Sequence, residues 1–132
     1  MKRQRGFSIV MAIFVLVVLG LLGGYMVRLS GVQFGTSVYA LQGARAYQAA
    51  RAGIEWAIAR INNGGNCTDV SAQTAMSFAG LTGFTVKLSC DPQAYSEGDK
   101  NLNFYRIKAL SQYGDYGGSD YVAREIEVSI IK

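Results

Sequence analysis

The sequence predicts an α+β chain in which a long N-terminal α-helix, its first half membrane-spanning and protruding, packs on a small antiparallel β-sheet. Three observations predict it. Phe7–Val27 is a 21-residue run without a charge. A helical pattern continues beyond it as far as Asn62-Asn63-Gly64-Gly65. After Gly65 the pattern changes from helical to alternating, as strands require. Four segments follow: residues 1–6, a basic leader; 7–27, an apolar helix; 28–62, its amphipathic continuation; and 63–132, the sheet domain.

A helix over Phe7–Val27 rises about 31 Å, the thickness of a bilayer's hydrocarbon core. Ser8 is its only clearly polar side chain. Lys2, Arg3 and Arg5 precede the run and only Arg28 closely follows it. That imbalance keeps the N-terminus cytoplasmic and sends the rest across the membrane. Ordinary secretory cleavage fits poorly, because Gly20, Gly23 and Gly24 never fall two apart to make a small-x-small site.

Beyond Val27, small or apolar residues recur at Val32, Thr36, Tyr39, Gly43, Ala46, Ala50, Ile54, Ala57 and Ile61, which is one face of a helix. The Asn-Asn-Gly-Gly run is a stop signal. Continuous from Phe7 to Asn62, the helix would extend about 84 Å, too long for a globule of about 14 Å radius of gyration to bury. Gly20 and Gly24, like Gly31 and Gly35, have the four-residue spacing that admits close helix–helix approach in membranes. The same glycines also suit an ordinary membrane helix.

In the distal segment, Phe84, Val86, Leu88 and Cys90 alternate with polar residues. Tyr105, Ile107 and Ala109 form a second alternating set, and Ile126, Val128 and Ile130 a third. Turn-rich stretches at Asp91–Asn103 and Tyr113–Asp120 separate them, so antiparallel pairing against the Ile54–Ile61 helix face is expected. Trp56 and Ile58 add to that second layer. Cys67 and Cys90 both follow the membrane run, and an oxidising compartment favours a disulfide between them over two free thiols.

Composition narrows the function. The formal charge is +4, but Lys2, Arg3 and Arg5 carry three of those charges, so no basic patch for nucleic acid remains. With no histidine and two cysteines there is no His-dependent triad and no zinc or iron–sulfur ligand set. Asp115 and Asp120, with Glu97 and Asp99, lack calcium-loop spacing and read as solvated turns. No nucleotide-binding loop and no nucleophile–base pair is present. No catalytic residue, metal or cofactor is therefore expected. Tyr95, Tyr113, Tyr116 and Tyr121 offer either an interaction surface or ordinary strand content.

The stretch Lys2-Arg3-Gln4-Arg5-Gly6-Phe7-Ser8-Ile9, a short basic leader and a glycine directly before phenylalanine and an apolar helix, resembles the leader of type IV prepilins and pseudopilins. The resemblance implies a type IV pilin-like fold and cleavage by prepilin peptidase between Gly6 and Phe7, with Phe7 then N-methylated. It also implies that Ser8, Met11, Gly20, Gly24, Gly31 and Gly35 take part in helix packing during assembly. Major pilins carry glutamate at the fifth mature position, where this chain has Met11. An uncharged residue there cannot pair with a neighbouring subunit's terminal amine, which favours a minor pilin. The alanine-rich stretch Gly43–Ala57 resembles minor pilins lacking that glutamate, most of all those serving biogenesis of the mannose-sensitive haemagglutinin (MSHA) pilus. The likeness runs from Arg5 to about Ala57. Its implied partners are other pilins and minor pilins, prepilin peptidase, the inner-membrane assembly platform and the bacterial inner membrane, with the C-terminal domain periplasmic. A minor pseudopilin of a type II secretion system shares the leader and fold. A single-pass periplasmic binding or adhesion module is the reading from another class.

Overall fold

The computed structural model describes the backbone of residues 7–132 and side chains from Ser8 onward. The leader, residues 1–6, lies outside the described residues. The described chain forms two compact units, residues 7–38 and 39–132. Helix α1, Phe7–Asn62, contributes to both; a short helix α2, Cys67–Ser71, and three strands, β1 (Phe84–Glu97), β2 (Lys100–Tyr113) and β3 (Val122–Ile131), complete the second. A long N-terminal helix packed on a three-stranded antiparallel sheet of order β1-β2-β3 is the α+β layout expected.

The core of residues 39–132 is made by one helix face against one sheet face. Ala46, Ala49, Ala50, Ile54, Ala57 and Ile61 meet Phe84, Val86 and Leu88 of β1 and Ile107 and Ala109 of β2, with Val70 of α2 beside them. The helical row therefore holds from Gly43 to Ile61, whereas Val32 and Thr36 are exposed. Ala49 and Gly53 belong to the buried face although the row omitted them. Gly53 is there for closeness: a Cβ on it would lie 2.8 Å from Val86 Cγ1 and 3.2 Å from Leu88 Cδ2. Trp56 and Ile58 are half-buried against this core.

The helix stops where the sequence indicates. Gly65 N–H donates to the Arg60 carbonyl at 2.9 Å and Gly64 N–H to the Ile61 carbonyl at 3.3 Å, the paired bonds of a Schellman ending. Lys132 Nζ donates to the same Ile61 carbonyl at 2.8 Å, placing a cation at the negative end of the helix dipole. The backbone of Lys132 is itself held by reciprocal bonds to Asn103.

The first strand pair corrects the expected loop. Asp91–Asn103 is not a loop, because β1 and β2 continue in register to Glu97↔Lys100. A two-residue turn, Gly98-Asp99, closes the hairpin, and Gly98 at φ 61° supplies the left-handed conformation such turns demand. Pro92 is tolerated because β1 is an edge strand. The same parity that turns the Val86 and Leu88 N–H groups outward, onto Met76 and Gln73, turns the Pro92 nitrogen away from β2.

A strap covers that outer edge. Met76 and Val86 exchange both backbone hydrogen bonds, Leu88 N–H donates to the Gln73 carbonyl, and Cys90 N–H donates to Ser71 Oγ. Helix α2, which the sequence reading did not anticipate, starts the strap with a capping box: Asn66 Oδ1 accepts from Asp69 N–H while the Asp69 carboxylate accepts from Asn66 N–H. The Cys67–Cys90 disulfide pins it, with the Cα atoms 5.1 Å apart. The bridge reaches the middle of β1, because the strand runs on past Cys90 to Glu97. On the chain-entropy model it contributes about 3 kcal/mol.

Gly53→Leu is expected to lower stability by about 2 kcal/mol or more, because the added side chain must displace Val86 and Leu88. Gly24→Leu, with open space at its Cβ, should leave the urea midpoint followed by Trp56 fluorescence unchanged.

Candidate functional site

The first candidate is the surface of residues 7–38. From Ser8 to Val27 every described side chain is exposed, and they are almost all aliphatic or aromatic. Among the described residues α1 is one helix long and apolar enough to cross a membrane. Three of its hydroxyls bond back to their own helix: Ser30, Thr36 and Ser37 donate to the carbonyls of Met26, Val32 and Gln33 at 3.1, 2.8 and 2.9 Å. Back-bonding of this kind lets a hydroxyl sit beside apolar neighbours without an unmet donor. No acidic residue occupies the first turn of α1.

The expected packing residues all fall on this exposed helix. Ser8 and Met11 are exposed, and a Cβ built on Gly20, Gly24, Gly31 or Gly35 meets nothing within 4 Å. Each glycine is thus a notch in a surface, open to another helix. Gly43 and Gly53 differ, since the sheet domain uses them: the Arg124 guanidinium lies over Gly43, 3.4 Å from where its Cβ would be. Gly6 of the expected cleavage position lies outside the described residues, as does the side chain of Phe7, where α1 begins.

The second candidate is the sheet face turned away from the helix. Tyr95 and Phe104 meet edge-on there, ring centroids 5.3 Å apart, and Tyr95 O–H donates to Gln93 Oε1 at 3.1 Å. With Arg106 and Ser129 they line an open hollow of about 280 Å³. Glu127 forms ion pairs with Arg106 and Lys108, both at 3.3 Å. These pairs are half-exposed and are worth about 0–1 kcal/mol each.

The four tyrosines do not form one surface. Tyr113 stacks on Phe84 at 5.0 Å as part of the core margin. Tyr116 and Tyr121 pair edge-on at 5.4 Å in the β2–β3 loop, whereas Tyr95 stands towards the Gly98 hairpin turn, at the opposite end of the sheet. Strand register separates residues that sequence order had merely grouped. Tyr116 is 91% exposed, and the Tyr121 hydroxyl oxygen accepts from Gln112 Nε2. The loop is held to the helix by Tyr39, whose hydroxyl donates to the Ser119 carbonyl at 2.8 Å, a contact no sequence pattern signalled. Among the described residues no group of three or more cysteine, aspartate or glutamate side chains is placed to hold a metal ion.

Comparison of the chain with family models, with curated proteins and with solved structures finds no match in any of the three.

Tyr39→Phe should speed amide exchange in residues 114–121 by a factor matching the loss of about 1 kcal/mol, the net worth of one hydrogen bond, while β2 amides opposite β1 exchange as before.

Proposed function

We propose that this chain is a minor pilin-like subunit serving biogenesis of a type IV pilus of the MSHA kind, similar to the MshP proteins, and that it works by contact rather than catalysis. The observation that carries the reading is the Gly6-Phe7 junction between a basic leader and a helix whose surface is apolar and uncharged to Val27. On this reading the chain enters the bacterial inner membrane with its N-terminus cytoplasmic and residues 39–132 periplasmic. Prepilin peptidase cuts between Gly6 and Phe7 and methylates the new terminus. The assembly platform then moves the helix among those of other pilins and minor pilins.

The disulfide supports the periplasmic side, since such bonds persist in oxidising compartments. The open glycine notches support lateral helix packing, because small residues let helix backbones approach closely in lipid. The helix's first turn carries no acid, so it has no charge to pair with a neighbour's terminal amine; this supports a position at or near a filament tip.

Gly6→Leu is expected to leave an unprocessed product in cells that hold prepilin peptidase, whereas the parent chain yields a mature N-terminus at Phe7 bearing one methyl group. Mass spectrometry of the intact protein reads both. An unmodified parent N-terminus would remove the main support for the reading. Met11→Glu should move the protein from the tip to positions along the filament, scored by immunogold counting; unchanged placement would count against the tip position.

A further inference from the structure

The two edges of the sheet are chemically unequal. The β1 edge is closed by the strap at Val86, Leu88 and Cys90, and Pro92 follows with no N–H. The β3 edge is open along its length among the described residues. Its register is given by the reciprocal bonds Asn103 N–H to Lys132 carbonyl, 3.1 Å, and Lys132 N–H to Asn103 carbonyl, 2.9 Å. Hydrogen-bonded pairs alternate along an antiparallel ladder. The even residues of β3 therefore spend their backbone groups on β2. The N–H and C=O groups of Ala123, Glu125, Glu127, Ser129 and Ile131 point outward.

The side chains beside that edge specify what fits it. On the helix side Val122, Ile126, Val128 and Ile130 are only half-buried and flank Arg124, whose guanidinium lies over Gly43, so an added strand with apolar residues beside those four would complete their cover. On the other side stand Glu125 and Glu127. Glu127 already meets Arg106 and Lys108, while Glu125 has no ion pair among the described residues. A second copy of β3 fits badly. The two-fold antiparallel registers that use most of the strand, centred on Ile126 or on Glu127, set glutamate opposite glutamate, and like charges directly opposed destabilise a pair.

We infer that the β3 edge accepts an extended strand from a different protein, one whose apolar residues alternate with lysine or arginine, added by backbone hydrogen bonds to the odd-numbered residues from Ala123 to Ile131. The inference rests on the sheet alone and does not depend on the pilin reading.

The test uses the full chain in detergent with two short synthetic peptides, one alternating lysine with valine and one alternating glutamate with valine. Residue-resolved amide exchange is followed by NMR. The lysine peptide should slow exchange about tenfold or more at residues 123, 125, 127, 129 and 131, leave the even residues as they were, and outdo the glutamate peptide. Glu125→Lys, which breaks no ion pair, should reverse the preference between the peptides. With peptide present, any of three outcomes would overturn the inference: no added protection, protection spread equally over odd and even residues, or equal protection by both peptides. Protection of the odd amides that grows with protein concentration without peptide would assign the edge to a second copy instead, and would also overturn it.

Discussion

The sheet domain depends on how closely α1 lies against β1 and β2. Around Gly53 the helix presents alanine and glycine, so β1 supplies the bulk there: Val86 and Leu88 reach towards the helix backbone itself, while Ile54 and Ile61 fill the core beyond. Close-packed interiors resist added volume. The two sides of the contact are therefore sensitive in opposite directions. Helix positions such as Ala46, Ala50 and Gly53 have no room to grow, while strand positions leave a cavity when they shrink. What surrounds the contact, the strap, the disulfide and the Lys132 clasp on Ile61, holds this one distance in place.

Much of the fold was legible because its signals are periodic or emphatic. The uncharged run, the helical row from Gly43 to Ile61 and the Asn-Asn-Gly-Gly stop mark α1 to its last residue. Alternation found β1, β2 and β3 where one face is buried, and the two cysteines are joined. The missed parts have two causes, little burial in one and short length in the other. Beyond Cys90 the hairpin is mostly exposed on both faces, so its side chains carry no alternation and its Pro92, Gly98 and Asn103 read as turn chemistry. Helix α2 is five residues long, too short to show a period. Its one signal, Asn66 with Asp69 three residues on, is a capping box that the sequence does display.

The candidate site was legible to a different degree in each unit. Along residues 7–38 the relevant property is composition, and the structure adds that the side chains and the glycine notches are exposed. In residues 39–132 the relevant property is register, which sequence order does not give. Tyr95 sits beside Phe104 and apart from Tyr116 because of how β1 pairs with β2. The Tyr39–Ser119 contact joins residues 80 positions apart and has no local precursor in the chain.

The strap over β1 has a further consequence, for growth. A sheet with two open sides can add strands at both and propagate, each newcomer offering a fresh template to the next. This sheet has its β1 side stitched shut over the buried half of the strand, with a proline next in line. A domain built this way ends a run of strands instead of extending it. Any neighbour that joins at β3 meets a wall three strands later, so the stack has a terminus written into each molecule.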